Sequence, residues 1–195
     1  MSTQTALKTD AYLMPEPSVL KRIYTFQVSL LSGPVSEAFA EENPEVSRTI
    51  QIRGDQTLED LHDAIFTAFD REDDNMYEFR FGNSALDTEE RCYVLPSEFN
   101  SKLSKQKVVA GDVTRTRIDT LNLSMNETFT YWFDFSDDWI HRITVLEAEE
   151  TIPQGKYPRI IARICESPSQ YPEFEDEENM AAEEYSEEEE WNVMY

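Results

Sequence analysis

Residues 131–142 read YWFDFSDDWIHR, and this stretch decides how the sequence around it is interpreted. Aromatic residues alternate with other residues in ETFTYWFDF, and the alternation resumes in WIHRITV. Two stretches of period two on either side of a short polar break indicate antiparallel strands joined by a hairpin. We therefore predict a hairpin whose tip is Ser136, Asp137 and Asp138, with its aromatic side chains in the core of a sheet.

The length of the hairpin loop decides which side chains face one another. If Asp137 and Asp138 form a two-residue loop, Asp134 lies opposite His141 with Cβ atoms about 5 Å apart. A three-residue loop would instead place Phe133 opposite His141. In the first register the carboxylate would hold the imidazole in one tautomer and raise its basicity, which suits general-base chemistry or metal binding.

Two functional interpretations and one structural interpretation of this segment remain open. Asp134 and His141 are the candidate catalytic residues. The candidate metal ligands are the carboxylates and imidazoles Asp134, Asp137, Asp138, His141, His62 and Glu78. A calcium loop fits poorly, because Trp139 replaces the glycine of the sharp turn and Val145 replaces the bidentate glutamate. In the structural interpretation the aspartates cap their own turn amides and His141 makes one hydrogen bond. No cofactor is expected apart from a divalent metal ion at this set.

The segments upstream of the hairpin predict an α+β fold. RIYTFQVSLL (22–31) and SRTIQIRG (47–54) have the period-two pattern of strands with one buried face, and a short helical turn is expected near residues 36–42. NMYEFRFG (75–82) is a further strand. A strand-strand-helix-strand order favours a mostly antiparallel sheet with a helix packed across one face, with a β-grasp-like start.

The helix lies in GDQTLEDLHDAIFTAFDRED (54–73). Asp55 or Thr57 can cap its N-terminus, and its apolar face consists of Leu58, Leu61, Ile65, Ala68 and Phe69. His62 lies only about 40° from Leu58 on the helical wheel, inside the apolar arc. We expect it to be either a hydrogen-bonded core residue or a member of the hairpin site.

Composition limits the range of partners. The chain has 195 residues, a formal net charge of −23 and a pI of about 4.3. Direct binding to nucleic acid or to an anionic membrane is disfavoured by repulsion, and a basic protein partner is favoured. Cys92 and Cys165 have no second cysteine at metal or redox spacing, and no apolar run could span a bilayer, so we expect free thiols and a cytoplasmic protein.

The charge pattern also divides the chain. We predict a flexible arm at 1–20, one domain at 21–172 and a disordered acidic tail at 173–195. The tail carries eleven acidic and no basic residues. It is either a solubiliser or a binding segment for a basic partner, whose candidate residues are Glu187, Glu188, Glu189, Glu190 and Trp191. Residues 102–117 are locally basic and are expected to be a mobile loop that could fold against the tail.

The same residues resemble a known family. YWFDFSDDWIHRITV is similar to the motif of the plasmid pRiA4b ORF-3-like proteins, found on plasmids and in transposable elements, and TLEDLHDAI, YEFRFG and QGKYPRIIARIC extend the resemblance over about residues 22–172. The family positions matched are His62, Glu78, Phe79, Asp134, Phe135, Asp137, Asp138, Trp139 and His141. The resemblance implies the fold and no established activity.

This chain departs from the family pattern at three places. Ser136 stands where the family has glycine, and a left-handed conformation there would cost about 1 kcal/mol. Tyr77 stands where many members have histidine. The family's cysteine-rich stretch is reduced to Cys165 and Pro168, which argues against a cysteine-based metal or redox role.

The sequence is compatible with three functions. The first is a non-enzymatic protein-binding module that uses the sheet face or the acidic surface. The second is a metal-assisted hydrolase or nuclease-like enzyme at Asp134 and His141. The third is an acidic DNA mimic, which rests on charge alone. The oligomeric state is left open.

Overall fold

Eight strands form one sheet in the computed structural model, which describes residues 21–82, 91–97, 108–151 and 153–172. The strands are β1 Lys21–Ser32, β2 Ser47–Arg53, β3 Tyr77–Phe81, β4 Arg91–Val94, β5 Val108–Asp112, β6 Thr128–Phe133, β7 Trp139–Thr151 and β8 Arg159–Ile164. The helices are α1 Glu37–Glu42 and α2 Leu58–Ala68, with a 3-10 helix at Ile118–Leu121.

The sheet is mostly antiparallel, as predicted. Its strand order is β5-β4-β3-β6-β7-β1-β2-β8. Strands β4 and β5 pair in parallel. The predicted strands at 22–31, 47–54 and 75–82 and the predicted helices are confirmed. The β6–β7 hairpin lies between β1 and β3, so β3 does not pair with β1.

The ends of α2 are fixed by local hydrogen bonds. The Asp60 amide donates to Thr57 Oγ1 at 3.1 Å and the Thr57 amide donates to Asp60 Oδ2 at 2.7 Å, which is a capping box. At the other end Asp70 adopts a left-handed conformation with φ of 53°, and the Arg71 amide donates to the Phe66 carbonyl at 3.1 Å. This ending turns Arg71 back towards the sheet.

The core lies between α2 and one face of the sheet, which we call the helix-side face. Leu58, Leu61 and Ile65 of α2 are at most 1% exposed. They pack among alternate residues of the central strands, chiefly Tyr24, Phe26, Val28, Ile50, Ile52, Phe79, Phe129, Tyr131, Phe133, Ile143 and Val145. Burial of each large apolar side chain contributes about 1.5–3 kcal/mol, so this interface is the main source of stability.

A close backbone approach fixes Trp139 at the start of β7. Trp139 is fully buried, and a Cβ built on Gly33 would lie 2.2 Å from Cε3 of its indole ring. No side chain fits in that space, so glycine is required where the chain leaves β1. The tryptophan that follows the hairpin tip is therefore part of the core, in agreement with the sequence pattern.

Arg48 joins three separate segments from inside the protein: β2, the end of α2 and residues 164–167. It lies on β2 in phase with Ile50 and Ile52 and is 1% exposed. Its guanidinium donates to the carbonyls of Ser47, Ala68, Ile164 and Cys165 and to the hydroxyl of Ser167, at 2.7 to 3.2 Å. Because burial removes its hydration, these oxygens replace water around the charge. Burial also lowers the pKa of Arg48.

Part of the predicted basic loop at 102–117 is a strand, so that expectation is wrong for residues 108–112. Parallel pairing with β4 orders them, and a local sequence pattern does not reveal a partner in a distant segment. Lys102, Lys105 and Lys107 lie outside the described residues, as do the predicted arm at 1–20 and tail at 173–195. Among the described helices none is long and apolar enough to cross a membrane.

We expect Arg48→Met to lower the free energy of unfolding by about 3–5 kcal/mol, since several buried carbonyl oxygens lose a charged donor together. Urea denaturation followed by tryptophan fluorescence measures this change. Arg53→Met is the matched control, because Arg53 is half-exposed and pairs with Asp55 at the surface. Its expected cost is below about 1 kcal/mol. Equal losses in the two variants would contradict the role assigned to Arg48.

Candidate functional site

The structure separates the two residues on which the predicted catalytic site depends. His141 pairs with Tyr131, and Phe133 pairs with Trp139 across a five-residue loop at 134–138. Asp134 is thus in the loop and has no partner in β7. The predicted pairing of Asp134 with His141 is wrong, and so is the alternative pairing of Phe133 with His141.

The loop is longer than predicted because its ends leave the strand conformation. Asp134 and Asp138 both have left-handed φ angles, of 54° and 53°. The Asp134 amide donates to the Met76 carbonyl at 2.9 Å, which ends the ladder, and the Asp138 amide donates to the Asp134 carbonyl at 2.8 Å. Ser136 is not left-handed, so the cost expected for serine at that position does not arise.

The side chain of Asp134 stabilises the hairpin loop through hydrogen bonds. Its Oδ2 accepts from Asn75 Nδ2 at 2.8 Å, and its Oδ1 accepts from the Ser136 hydroxyl at 2.6 Å and the Ser136 amide at 3.2 Å. It is 5% exposed. Its bond to the Ser136 amide is the turn capping considered in the structural interpretation, and its bond to Asn75, which was not predicted, links the hairpin tip to the segment that leads into β3.

His141 lies inside the core. It is 1% exposed, and its ring meets the edge of Phe69 with ring centroids 4.7 Å apart. Neither ring nitrogen makes a hydrogen bond of ordinary geometry among the described residues. The backbone of Tyr131 and of Trp139 still acts on the ring and opposes the lowering of its pKa, so the single bond expected in the structural interpretation is present only as this weaker contact. Burial, aided by the nearby charge of Arg71, lowers the pKa of His141 to about 3. A general base needs a pKa nearer to neutrality and access to substrate, and His141 has neither.

Arg71 occupies the centre of this region, where the sequence pattern gave no indication of it. Its guanidinium lies 3.6 Å from the centroid of the Trp139 ring, and its Nη1 donates to the Pro168 carbonyl at 3.4 Å. Arg71 is 8% exposed, and burial lowers its pKa to about 10. The stacking on the indole compensates part of the lost hydration of this cation.

His62 connects α2 to the middle of the sheet. Its Nδ1 lies 2.7 Å from Tyr131 Oη, its Nε2 lies 3.5 Å from Asp74 Oδ1, and its ring stacks on Tyr77 with centroids 3.7 Å apart. A tautomer with hydrogen on Nε2 lets Tyr131 donate to Nδ1 and Nε2 donate to Asp74. Burial lowers the pKa of His62 to about 4 and raises that of Tyr131 well above its usual value. Both groups are therefore neutral at neutral pH.

Glu78 faces the other side of the sheet. It alternates with Tyr77 and Phe79, which are core residues, and it pairs with the guanidinium of Arg80. Across the strands it lies opposite Val94 and Trp132. The sheet therefore separates Glu78 from His62 and His141. No group of three or more His, Cys, Asp or Glu side chains within the described ranges is arranged to hold a metal ion.

Two arginines that organise this side of the molecule were not among the candidates. Arg48 carried a signal that could have been used, since it stands in the apolar phase of β2 and a charged residue in that phase must be paired inside. Arg71 carried none, because its position depends on how α2 ends.

Comparisons with known proteins agree with this architecture. The family model described as plasmid pRiA4b ORF-3-like protein matches residues 36–192. The crystal structure of a protein of unknown function from Methanosarcina mazei Go1 superposes with a TM-score of 0.58 at 18% identity, covering 78% of this chain and 74% of that one. At that identity the likeness shows the fold alone. No curated protein sequence matches the chain.

The two buried histidines predict loss of stability in mild acid. The unfolded chain binds protons near pH 6.5, whereas native His62 and His141 bind them only near pH 4 and pH 3, so protons favour the unfolded state over that interval. We expect the free energy of unfolding to fall between pH 7 and pH 5, with a slope approaching about 2.7 kcal/mol per pH unit for two histidines. Urea denaturation at several pH values measures it.

His62→Gln is the control for this profile, because glutamine can keep a hydrogen bond to Tyr131 but does not titrate. It should reduce the slope to about that of one histidine, or about 1.4 kcal/mol per pH unit. A flat profile of the native sequence between pH 7 and pH 5 would show that the histidines are accessible to protons in the folded state.

Proposed function

The chain belongs to the plasmid pRiA4b ORF-3-like family, and from this premise we propose that it is a non-enzymatic protein-binding module of the cytoplasm. Its partner is a protein with a basic surface, which it engages through the face of the sheet opposite α2. We call the part of this surface that lies on β1, β2, β7 and β8 the open face. It includes Thr25, Thr49 and Gln51, which alternate with core residues on β1 and β2.

The observation that carries this proposal is the position of three exposed apolar side chains. Leu31, Leu146 and Ile161 are 53%, 41% and 50% exposed. Each stands at a register shift, where the neighbouring strand supplies no paired residue. A β-bulge re-aims a side chain, and bulges are common next to functional surfaces. In the proposed complex these three side chains supply the apolar contacts to the partner, and the polar residues around them form the rim.

The charge of the protein supports a basic partner. The formal net charge is −23, and β7 continues beyond Leu146 with Glu147, Glu149 and Glu150. Apolar contacts surrounded by charge of one sign give affinity together with electrostatic steering of an oppositely charged partner. The acidic tail, including Glu187–Glu190 and Trp191, would add to the same attraction.

The enzyme alternative lacks a geometric basis. Asp134 is buried and accepts three hydrogen bonds, from Asn75 and from the amide and hydroxyl of Ser136, and both histidines are buried and neutral. A divalent metal ion therefore has no part in this proposal. The DNA-mimic alternative still rests on net charge alone. Cys92 is a buried thiol and Cys165 is an exposed thiol, and thiols persist in the reducing compartment proposed here.

The triple substitution Leu31→Ser, Leu146→Ser and Ile161→Ser tests the proposal. The partner is first isolated on the immobilised full chain, identified, purified and shown to bind less tightly at high salt. We expect the triple variant to bind it at least about tenfold more weakly, because three apolar contacts are lost, while its own free energy of unfolding changes little. Calorimetric titration measures the affinity.

Tyr171→Ser is the matched control. Tyr171 is 49% exposed but lies beyond β8, next to Gln170, which binds the amides of Glu72 and Asp73 after α2, and it stands at no register shift. It should leave the affinity unchanged. The proposal would be contradicted if the full chain retained no protein whose binding can be reproduced with purified components. Equal affinity of the triple variant and the native chain for the partner would also contradict it.

A further inference from the structure

One buried arginine lacks the partner that its charge requires. Arg71 is 8% exposed, and across the described ranges no Asp or Glu side chain lies within ion-pair distance of it. The two carboxylates whose charges act on it are bound elsewhere. Asp70 Oδ2 lies 3.0 Å from Arg163 Nη1, and Asp134 accepts three hydrogen bonds from other groups. Because a buried charge without a counter-ion costs free energy, a cation in this position indicates a missing group.

The unpartnered atoms of Arg71 are the two that form a bidentate fork. Its Nη1 donates to the Pro168 carbonyl at 3.4 Å, which leaves Nε and Nη2 without a hydrogen-bond partner among the described residues. These two nitrogens lie on the same edge of the planar guanidinium, and their N–H bonds run parallel. This edge pairs with the two oxygens of a carboxylate through two parallel hydrogen bonds. The division between used and unused donors therefore favours an anion with two oxygens in one plane.

A second donor in the same contact is also unpartnered. The guanidinium of Arg71 lies 3.6 Å from the centroid of the Trp139 ring. Trp139 is fully buried, and its Nε1 has no hydrogen-bond partner in the part of the chain that the structure describes. Both groups are donors only. Water can accept such hydrogen bonds but leaves the buried charge uncompensated, and the indole ring compensates only part of it. The missing group is therefore an anionic acceptor.

The chain that follows β8 covers this place with residues 167–170, which we call the strap. Ser167 Oγ donates to Asp70 Oδ2 at 2.7 Å, and Gln170 Oε1 accepts from the Glu72 amide at 2.8 Å. These two side chains hold the strap to the turn on either side of the guanidinium. The strap is not part of a strand. A ligand can therefore enter when these side-chain bonds open, while the sheet stays intact.

We propose that Arg71 binds a carboxylate group beneath the strap, with the two oxygens on Nε and Nη2 and the ring of Trp139 as one wall. This site lies on the helix-side face, and it goes beyond the proposed contact with a partner protein, which uses the open face. A carboxylate carries one negative charge, which matches the one positive charge of Arg71. A phosphate group is close to a dianion at neutral pH and would leave a buried negative charge in its place.

Two sources can supply this carboxylate. One is a small carboxylic acid in solution. The other is the chain itself, because the strap ends shortly before an acidic stretch that contains Glu173, Glu175, Asp176, Glu177 and Glu178. Acetate distinguishes the two sources. If an acid of the chain fills the site, acetate binds only after these five residues are replaced by the corresponding amides.

The full chain is titrated with sodium acetate at constant ionic strength, with sodium chloride as the exchanged salt. We expect the Nε–H signal of Arg71 and the Nε1–H signal of Trp139, both assigned in the native chain, to move in ¹H–¹⁵N spectra. Sulfate should not move them, since it is a dianion. The melting temperature should rise by at least about 3 °C in about 100 mM acetate relative to chloride, because a ligand of the native state stabilises it.

Two arginine variants separate the fork from a general effect of acetate. Arg71→Lys keeps the charge but lacks the fork, so acetate should no longer raise its melting temperature. Arg163→Lys is the matched control, because Arg163 lies beside the strap and pairs with Asp70. It should keep the full rise.

The source of the carboxylate follows from a further full-length variant. Its substitutions are Glu173→Gln, Glu175→Gln, Asp176→Asn, Glu177→Gln and Glu178→Gln. A response of the native chain to acetate assigns the site to a small acid. A response of this variant alone assigns it to the chain's own acids. The proposal is overturned if acetate moves the Arg71 and Trp139 signals in neither protein, if sulfate moves them equally, or if Arg71→Lys keeps the rise in melting temperature.

Discussion

Exclusion of water from the interface between α2 and the sheet is the constraint on which the rest of the structure depends. Buried ionisable groups there must be neutral or surrounded by compensating groups. His62 and His141 are neutral, and Arg48 is surrounded by backbone carbonyls and a hydroxyl. Arg71 meets this requirement only in part: its guanidinium lies against an indole ring and donates to the Pro168 carbonyl, but its Nε and Nη2 have no hydrogen-bond partner among the described residues. Polar residues that look reactive in the sequence are thus held in fixed structural states.

On the helix-side face this constraint gives the motif residues structural roles. The aromatic residues and histidines of the family motif build the core beneath α2, and the motif aspartate ties the hairpin tip to β3. The groups that remain available for recognition of a partner protein lie on the opposite side of the sheet and at its bulges. A motif that identifies a family can therefore describe how the fold is made, while contacts with partners come from residues outside the motif.

The elements that the sequence predicts well are those with a strong local pattern. Periodicity and a helix cap predict β1, β2, α2, β3 and the hairpin. The reason is that burial of one face of an element selects apolar residues there and leaves polar residues on the other face. The register of the hairpin could not be read, since it depends on Asp134 and Asp138 leaving the strand conformation. The β4 and β5 pair and the three bulges depend on partners distant in sequence. The position of Arg71 depends on the way α2 ends, so this part of the site requires the structure.

Ring ¹⁵N chemical shifts of the two histidines, measured by nuclear magnetic resonance between pH 7 and pH 5, test the central claim most directly. The account predicts that His141 stays neutral throughout and that His62 keeps its hydrogen on Nε2, with Nδ1 accepting from Tyr131. Titration of His141 near the ordinary histidine pKa of about 6.5 would contradict the account, because it would show that water and protons reach the hairpin. The hairpin would then again be a candidate reactive site.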